Sequence, residues 1–398
     1  MSEPELWELY YTLLLKDVGC SSNAARITAL YKTDDLAFKR DAKTMGTRIP
    51  DMLRFVVDHS ADGAGVAERW RTLASVIPQS PAVATEIIAT RCERGADIAR
   101  RLHFSDRVAD GIRGLDEHWD GGGRPLGLRG EAIPVYSRIA LLAQVVDVFN
   151  VFGREAAVAE VRRRSGRWFD PAIVAKFIEV QTQLGFWEAL ATPNLESIIF
   201  TLEPGREAKM LDEDFLDDIA GAFAEVVDSK SPYTSGHSSR VAELSDKIAA
   251  ELGFTAQRRR WLRRGALLHD IGKLGVSNLI LDKPAKLTVA ERDAMRKHAL
   301  YTQRILSRIA AFEELARVAG AHHERLDGKG YPHGLKGAAI ALETRVLTAA
   351  DIFDALTAER PYRAAMDQAK ALEIMAGEVG TAVDPACFAA LKAVLAKG

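Results

Sequence analysis

The sequence predicts an all-α fold built as two helical bundles in tandem, and three observations carry that prediction. Ala, Leu, Arg and Glu dominate, and apolar residues recur at three- and four-residue spacing, as in Val241, Leu244, Ile248 and Leu252. No stretch longer than about six residues alternates apolar with polar as a half-buried strand requires. The third observation is an internal repeat. Glu117-His118-Trp119-Asp120-Gly121-Gly122-Gly123-Arg124-Pro125 runs in step with Glu324-Arg325-Leu326-Asp327-Gly328-Lys329-Gly330-Tyr331-Pro332. The register continues through Gly127, Leu128, Gly130, Ile133 and Arg138 against Gly334, Leu335, Gly337, Ile340 and Arg345, at a constant offset of 207 residues.

The elements follow in order. Near the start, Leu14-Leu15-Lys16-Asp17-Val18-Gly19 echoes Leu267-Leu268-His269-Asp270-Ile271-Gly272, there at an offset of 253. The first copy therefore carries an insertion of roughly 46 residues, which falls between about residues 30 and 80. Pro and Gly mark loops at Ile77–Pro81, Asp120–Pro125 and Asp327–Pro332. Later, Asp170-Pro171 echoes Asp384-Pro385. The first copy spans residues 1–195 and the second 212–398, with a linker in 190–215 around Glu203-Pro204-Gly205. Leu211 to Val227 reads as an amphipathic helix that leads into the second copy.

Composition narrows the function classes. Hydrophobic residues are 47% and charged residues 27% of the 398, the balance of a soluble globular chain. A net charge of −2 gives no basic excess for a nucleic-acid polymer or an anionic membrane surface. No run approaches the length of a membrane span, and the acidic start is not a secretory leader. Cys20, Cys92 and Cys387 match no zinc spacing and read as free thiols of a cytoplasmic protein.

The chemistry lies in the second copy. Six of the nine histidines fall there, and five of them stand beside charged or glycine signals: His237, His269 with Asp270, His298, and the pair His322-His323. Helical spacing puts His237 on a face with Val241, Leu244 and Ile248, His269 with Leu262 and Ala266, and Asp351 with Leu347. His298 follows Met295 and precedes Tyr301 and Ile305. Buried imidazoles and carboxylates cost several kcal/mol unless paired or metal-bound. Five histidines and two aspartates directed at one bundle interior are best explained by metal. Mixed imidazole and carboxylate donors suit iron, manganese, zinc or nickel. Seven candidate ligands exceed what one ion needs. Two ions bridged by a carboxylate, activating a hydroxide, are a standard device for phosphate ester hydrolysis.

These residues also carry a family resemblance. Ser231-Pro232-Tyr233-Thr234-Ser235-Gly236-His237, Leu268-His269-Asp270-Ile271-Gly272-Lys273, His322-His323-Glu324, and Asp327-Gly328 with Gly330-Tyr331-Pro332 resemble the HD-GYP phosphodiesterases. The likeness covers about residues 212–398 and includes Asp354-Ala355-Leu356 and Arg360-Pro361-Tyr362. It implies hydrolysis of cyclic di-GMP, or of a related cyclic GMP-AMP dinucleotide, to the linear product, with two divalent ions, iron or manganese first. It implies that Asp270 bridges, with His237, His269 and Asp351 on one side and His298, His322 and His323 on the other. Lys273 would meet a phosphate oxygen, Tyr331 a base or ribose, and Arg360 with Arg363 the guanine or second phosphate. Glu324 reads as a hydrogen-bond partner of a ligand histidine. Some members place a glutamate four residues before the first histidine to help bind a third metal. Tyr233 stands there, so two metals are expected.

The first copy lacks the ligands. Lys16 stands for His269 although Asp17 persists, Arg91 stands for His298, and Leu115-Asp116 for the histidine pair. Arg124 replaces Tyr331, Gln144 replaces Asp351, and the counterpart of His237 would precede residue 1. The expectation is a metal-free regulatory or structural domain whose uncovered apolar groove is closed by a second chain in a homodimer. The rival reading is a receptor that holds the cyclic dinucleotide without cleaving it. A transcription factor finds no basic stripe to support it.

Overall fold

The computed structural model describes residues 1–31, 33–36, 80–205, 212–359 and 364–397. The inserted segment of the first copy lies almost wholly outside the described residues, as do Arg360 and Arg363. Every named element among the described residues is helical. The chain divides into two compact units, Met1–Leu211 and Asp212–Gly398.

Unit 2 opens with α10 (Glu213–Asp228), whose N-terminus Asp212 caps by accepting from the Phe215 amide at 2.7 Å. There follow α11 (His237–Glu251), α12 (Ala256–Leu268), a 3₁₀ turn (Ile271–Gly275) and the short α13 (Asn278–Leu281). Next come α14 (Val289–Leu306), α15 (Glu313–Gly320), α16 (Leu342–Thr357), α17 (Gln368–Gly377) and α18 (Pro385–Lys397). α14 starts with a capping box: Thr288 accepts from the Glu291 amide while the Glu291 carboxylate accepts from Thr288 N–H. The apolar stripe read from the sequence is the buried face. Val241 and Ile248 of α11 meet Leu262 and Ala266 of α12, Val346 and Leu347 of α16, and Leu391 of α18. Each fully buried Leu or Ile contributes about 1.5–3 kcal/mol. A second cluster joins Leu216 and Val227 of α10 to Leu268, Leu306, Phe312 and Leu315.

One close approach sets the register of the site. A Cβ on Gly272 would lie 1.9 Å from the His298 carbonyl oxygen, so only glycine lets the 3₁₀ turn rest against α14. The Thr302 hydroxyl locks the contact, donating to His269 O at 2.8 Å and accepting from Gly272 N–H at 3.0 Å.

Unit 1 comprises α1 (Glu3–Leu15), a 3₁₀ segment (Val18–Asn23), α2 (Ala24–Tyr31), α3 (Ser80–Arg101), α4 (Asp106–Arg113), α5 (Val135–Asn150), α6 (Arg154–Arg164), α7 (Pro171–Val180), α8 (Phe186–Leu190) and α9 (Leu195–Thr201). Ser80-Pro81, read as loop, is the first turn of α3, where proline costs nothing because its missing N–H has no intrahelical acceptor.

The repeat is visible bond by bond. Glu117 accepts from the amides of Leu126, Gly127 and Leu128, and Glu324 from those of His333, Gly334 and Leu335. Ser137 donates to Gly111 O and Thr344 to Val318 O. Arg138 pairs with Asp170 as Arg345 does with Asp384. A Cβ on Gly19 would strike Arg91 O at 2.1 Å, the counterpart of Gly272 on His298. Tyr10 of α1 donates to Ile199 O of α9 at 3.2 Å, and Tyr11 bonds Glu203.

Candidate metal centre

The side chains of the expected ligand set arrive from five separate segments of unit 2. His237 is the first residue of α11, and His269 caps the C-terminus of α12. Asp270 precedes the 3₁₀ turn, His298 lies in α14, His322 and His323 follow α15, and Asp351 lies in α16. The structure brings all seven together. His237, His269 and Asp351 converge as one group of donors, His298, His322 and His323 as another, and His269, Asp270 and His322 as a third between them.

Asp270 stands astride the two sides. Its Oδ2 lies 3.5 Å from His237 Nε2 and 3.3 Å from His269 Nε2. Its Oδ1 lies 3.5 Å from His298 Nε2 and 3.8 Å from His322 Nε2. Asp351 Oδ1 joins the first side, 3.4 Å from His237 Nε2 and 3.8 Å from His269 Nε2.

The donor atoms fit metal on two counts. The Nε2 atoms of His237 and His269 and Oδ1 of Asp270 are buried with no hydrogen-bond partner, a costly arrangement unless a cation takes the lone pairs. The other ring nitrogens are committed: Nδ1 of His269, His298 and His322 each lies 2.6 Å from a main-chain carbonyl, of Ala266, Met295 and Ala319. Each ring therefore keeps its proton on Nδ1 and offers Nε2 as a donor.

The electrostatics agree. Burial works against a charged His237, but the carboxylates of Asp270, Asp351 and Asp354 outweigh it and raise the group to about 10. His269 is likewise desolvated, and Asp270 and Asp351 raise it to about 9. Burial would raise Asp270, yet Lys273 and the imidazoles of His269 and His237 hold it well below the usual carboxylate range. Burial and neighbouring imidazoles and cations depress His298 and His322, and take His323 down to about 3. The carboxylate side demands positive charge and the imidazole side offers neutral donors.

Around this centre, Lys273 donates to Asp270 Oδ2 at 2.5 Å, so its ammonium is tied to the carboxylate rather than standing free for a phosphate. Tyr331 packs its ring 4.8 Å from that of His323, held by its amide to His323 O at 3.2 Å. Burial, then Asp270 and Asp351, push its phenol upward. Glu324 departs from expectation. Its hydrogen bonds reach no ligand imidazole. Its buried carboxylate gathers the amides of residues 333–335 and so fixes the backbone just after Tyr331.

Two contacts escaped the sequence reading, in which Asp354 stood only as part of the family resemblance. Arg296 lies with its guanidinium 5.2 Å from the centroid of Tyr331. Asp354, one turn beyond Asp351, hydrogen-bonds His237 Nδ1 at 2.6 Å. Arg296 carries no local signal, since an arginine two residues before a histidine is ordinary on a helix; the one-turn spacing of Asp351 and Asp354 is the local hint for the second contact.

In unit 1 the corresponding positions hold fixed charges. Arg91 pairs with Asp116 and Lys16 with Asp17. Cys92 Sγ lies 3.7 Å from Asp116 and Cys20 Sγ 3.6 Å from Asp17. Among the described residues, no group of potential metal donors falls in this unit.

Comparison with known proteins agrees. The family described as HD domain matches residues 79–173 and 221–387. The chain is 53% identical over 396 residues, 99% of its length and 86% of the relative's, to 3'3'-cGAMP-specific phosphodiesterase 3 of Vibrio cholerae. A cyclic di-GMP phosphodiesterase of Thermotoga maritima is 37% identical over 173 residues, 43% of this chain and 47% of that protein. A crystal structure of a cyclic GMP-AMP-specific phosphodiesterase of V. cholerae superposes with a TM-score of 0.64 at 48% identity, covering 100% of this chain and 88% of that one. No helix among the described residues is long and apolar enough to cross a membrane. The chain belongs to the HD domain family, as a phosphodiesterase of its HD-GYP branch.

Proposed function

We propose that unit 2 opens a cyclic dinucleotide to its linear form and that 3'3'-cGAMP is its preferred substrate. The observation that carries the reaction is Asp270 between two sets of imidazoles, with one carboxylate oxygen facing each. What supports the base preference is the 53% identity to the V. cholerae cGAMP-specific enzyme over nearly the whole chain. Relatives named as cyclic di-GMP phosphodiesterases match 41–44% of it, at 32–39% identity.

The residues divide the work. His237, His269 and Asp351 would hold one divalent ion, and His298, His322 and His323 a second, with Asp270 shared. Iron or manganese comes first, and zinc or nickel also suits these donors. When bound, such ions supply an activated water and neutralise charge on the phosphoryl oxygens. Lys273 keeps Asp270 charged and oriented, and would contact a phosphate oxygen as a point charge. Tyr331 offers a ring face to a base or ribose beside the centre. Arg360 and Arg363 keep their expected role as base or phosphate contacts. Tyr233 has no carboxylate to offer, so the centre holds two ions rather than three.

Unit 1 in this reading is a metal-free, non-catalytic copy of the fold, in which Lys16 and Arg91 supply from side chains the positive charge that metal supplies in unit 2. Chelation should then leave its unfolding transition unmoved while lowering that of unit 2.

The test is turnover of 3'3'-cGAMP and cyclic di-GMP by protein purified anaerobically and loaded with iron(II) or manganese(II), with Asp270→Ala as control. Linear product from the parent, faster with 3'3'-cGAMP, and none from the variant is the expected result. Binding without cleavage under every metal would make unit 2 a receptor. Three ions per chain by elemental analysis would overturn the two-ion centre.

A further inference from the structure

The four imidazoles that turn a nitrogen toward Asp270 are not oriented alike. His269, His298 and His322 lean on neutral main-chain carbonyls three residues back. His237 begins its helix, behind a glycine in the left-handed conformation at φ 68°, so the residue three before it, Thr234, belongs to a separate 3₁₀ turn and not to its own helix. Its Nδ1 is met by a carboxylate: Asp354 Oδ2 at 2.6 Å. Asp354 lies one turn after Asp351 on α16, so one helix grips both edges of the ring, Asp351 at Nε2 and Asp354 at Nδ1. Asp354 is itself held. Arg240, one turn after His237 on α11, donates Nε to Oδ1 at 2.6 Å and Nη2 to Oδ2 at 3.0 Å, and anchors through Nη1 to Ser235 O at 3.0 Å.

We infer that Asp354 is a positioning residue that fixes His237 for metal and strengthens it as a donor, and that Arg240 holds Asp354 in place. This rests on the reading of unit 2 as a metal centre. A carboxylate on Nδ1 sets the same tautomer as a carbonyl would, but its charge makes Nε2 more electron-rich. The side built on His237, His269 and Asp351 is therefore the tighter of the two metal positions. Asp354 is buried, whereas Arg240 is about half exposed, so the clamp extends from the protein surface to the ligand.

The test is metal uptake by the full chain, independent of turnover. Metal-stripped protein is titrated with manganese(II), with free ion read by paramagnetic resonance. The parent should show a tight and a weaker class. Asp354→Asn keeps the shape and removes the charge, and should weaken the tight class by about 10- to 100-fold while sparing the other. Arg240→Ala should weaken the same class less, and Arg240→Lys should restore part of the loss. In a His237→Gln background, Asp354→Asn should change nothing further, which separates positioning of His237 from general support of the fold. Tight-class affinity of Asp354→Asn within twofold of the parent, or equal loss of both classes, overturns the inference. Should Asp354→Asn fail to fold, the surface variant Arg240→Ala decides, and an unchanged tight class there overturns it. A parent that takes up no manganese(II) overturns the metal reading and the inference together.

Discussion

Replacing Glu324 by glutamine tests how the loop that carries Tyr331 is held. The carboxylate is 1% exposed and accepts three main-chain hydrogen bonds, from His333 at 2.6 Å, Gly334 at 3.1 Å and Leu335 at 2.9 Å. Hydrogen bonds to a charged group contribute about 1.5–3 kcal/mol each, and neutral ones roughly half. In Glu324→Gln the remaining oxygen keeps His333 and Gly334 at reduced strength, while the new amide group opposes the Leu335 N–H donor to donor. Two weakened bonds and one broken one sum to about 3–6 kcal/mol. The loop begins at Tyr331-Pro332, so the ring beside His323 should lose its fixed place and KM for the dinucleotide should rise by about tenfold, near 1.4 kcal/mol. The repeat supplies the control. Glu117 makes the same three bonds in unit 1, at 2.6, 3.2 and 2.8 Å. Glu117→Gln should destabilise unit 1 to a similar extent and leave turnover unchanged. Denaturant unfolding resolved into two transitions, with steady-state kinetics, reads both effects. Stability of Glu324→Gln within about 0.5 kcal/mol of the parent would refute the reasoning, and so would an equal loss of turnover in Glu117→Gln.

Other outcomes follow from the same geometry. Arg296→Ala removes the cation over Tyr331 and should raise KM for a cyclic dinucleotide several-fold, while hydrolysis of a small chromogenic phosphodiester stays unchanged; an equal effect on both would place Arg296 with the metal centre rather than the substrate. Gly272→Ala drives a Cβ to 1.9 Å from His298 O and must lift the 3₁₀ turn from α14, so manganese(II) affinity and turnover should both collapse, whereas Gly19→Ala in unit 1 should only destabilise. Metal binding should release protons. With His237 and His269 raised to about 10 and 9, both rings are protonated at pH 7.5 without metal, and an ion must displace those protons. Affinity should therefore climb with pH and flatten above about pH 10, and calorimetry in buffers of different ionisation enthalpy should count between one and two protons per chain; release below half a proton would contradict it. The same shifts give the sign for the metal-free fold. Stability from these protonated rings is complete below the unfolded histidine value near 6.5 and is lost as pH rises through 9 to 10.

Periodicity and repetition were enough to read the all-helical class, the 207-residue repeat and the seven polar residues directed at one interior. These are local properties: a 3.6-residue period puts Val241, Ile248 and His237 on one stripe whatever that stripe packs against. Lys16 and Arg91 stand at the repeat positions of His269 and His298, a difference that the internal alignment alone displays. Tertiary structure alone decided the partners. Glu324 was read as bonding a histidine and instead binds three amides nine to eleven residues ahead, since the glycine turn folds that backbone over its carboxylate. Asp354 meets His237 across 117 positions, and Asp270 faces imidazoles from α11, α14 and the turn after α15. Such contacts depend on the angles and depth at which helices pack, and no pairwise spacing in the chain encodes those.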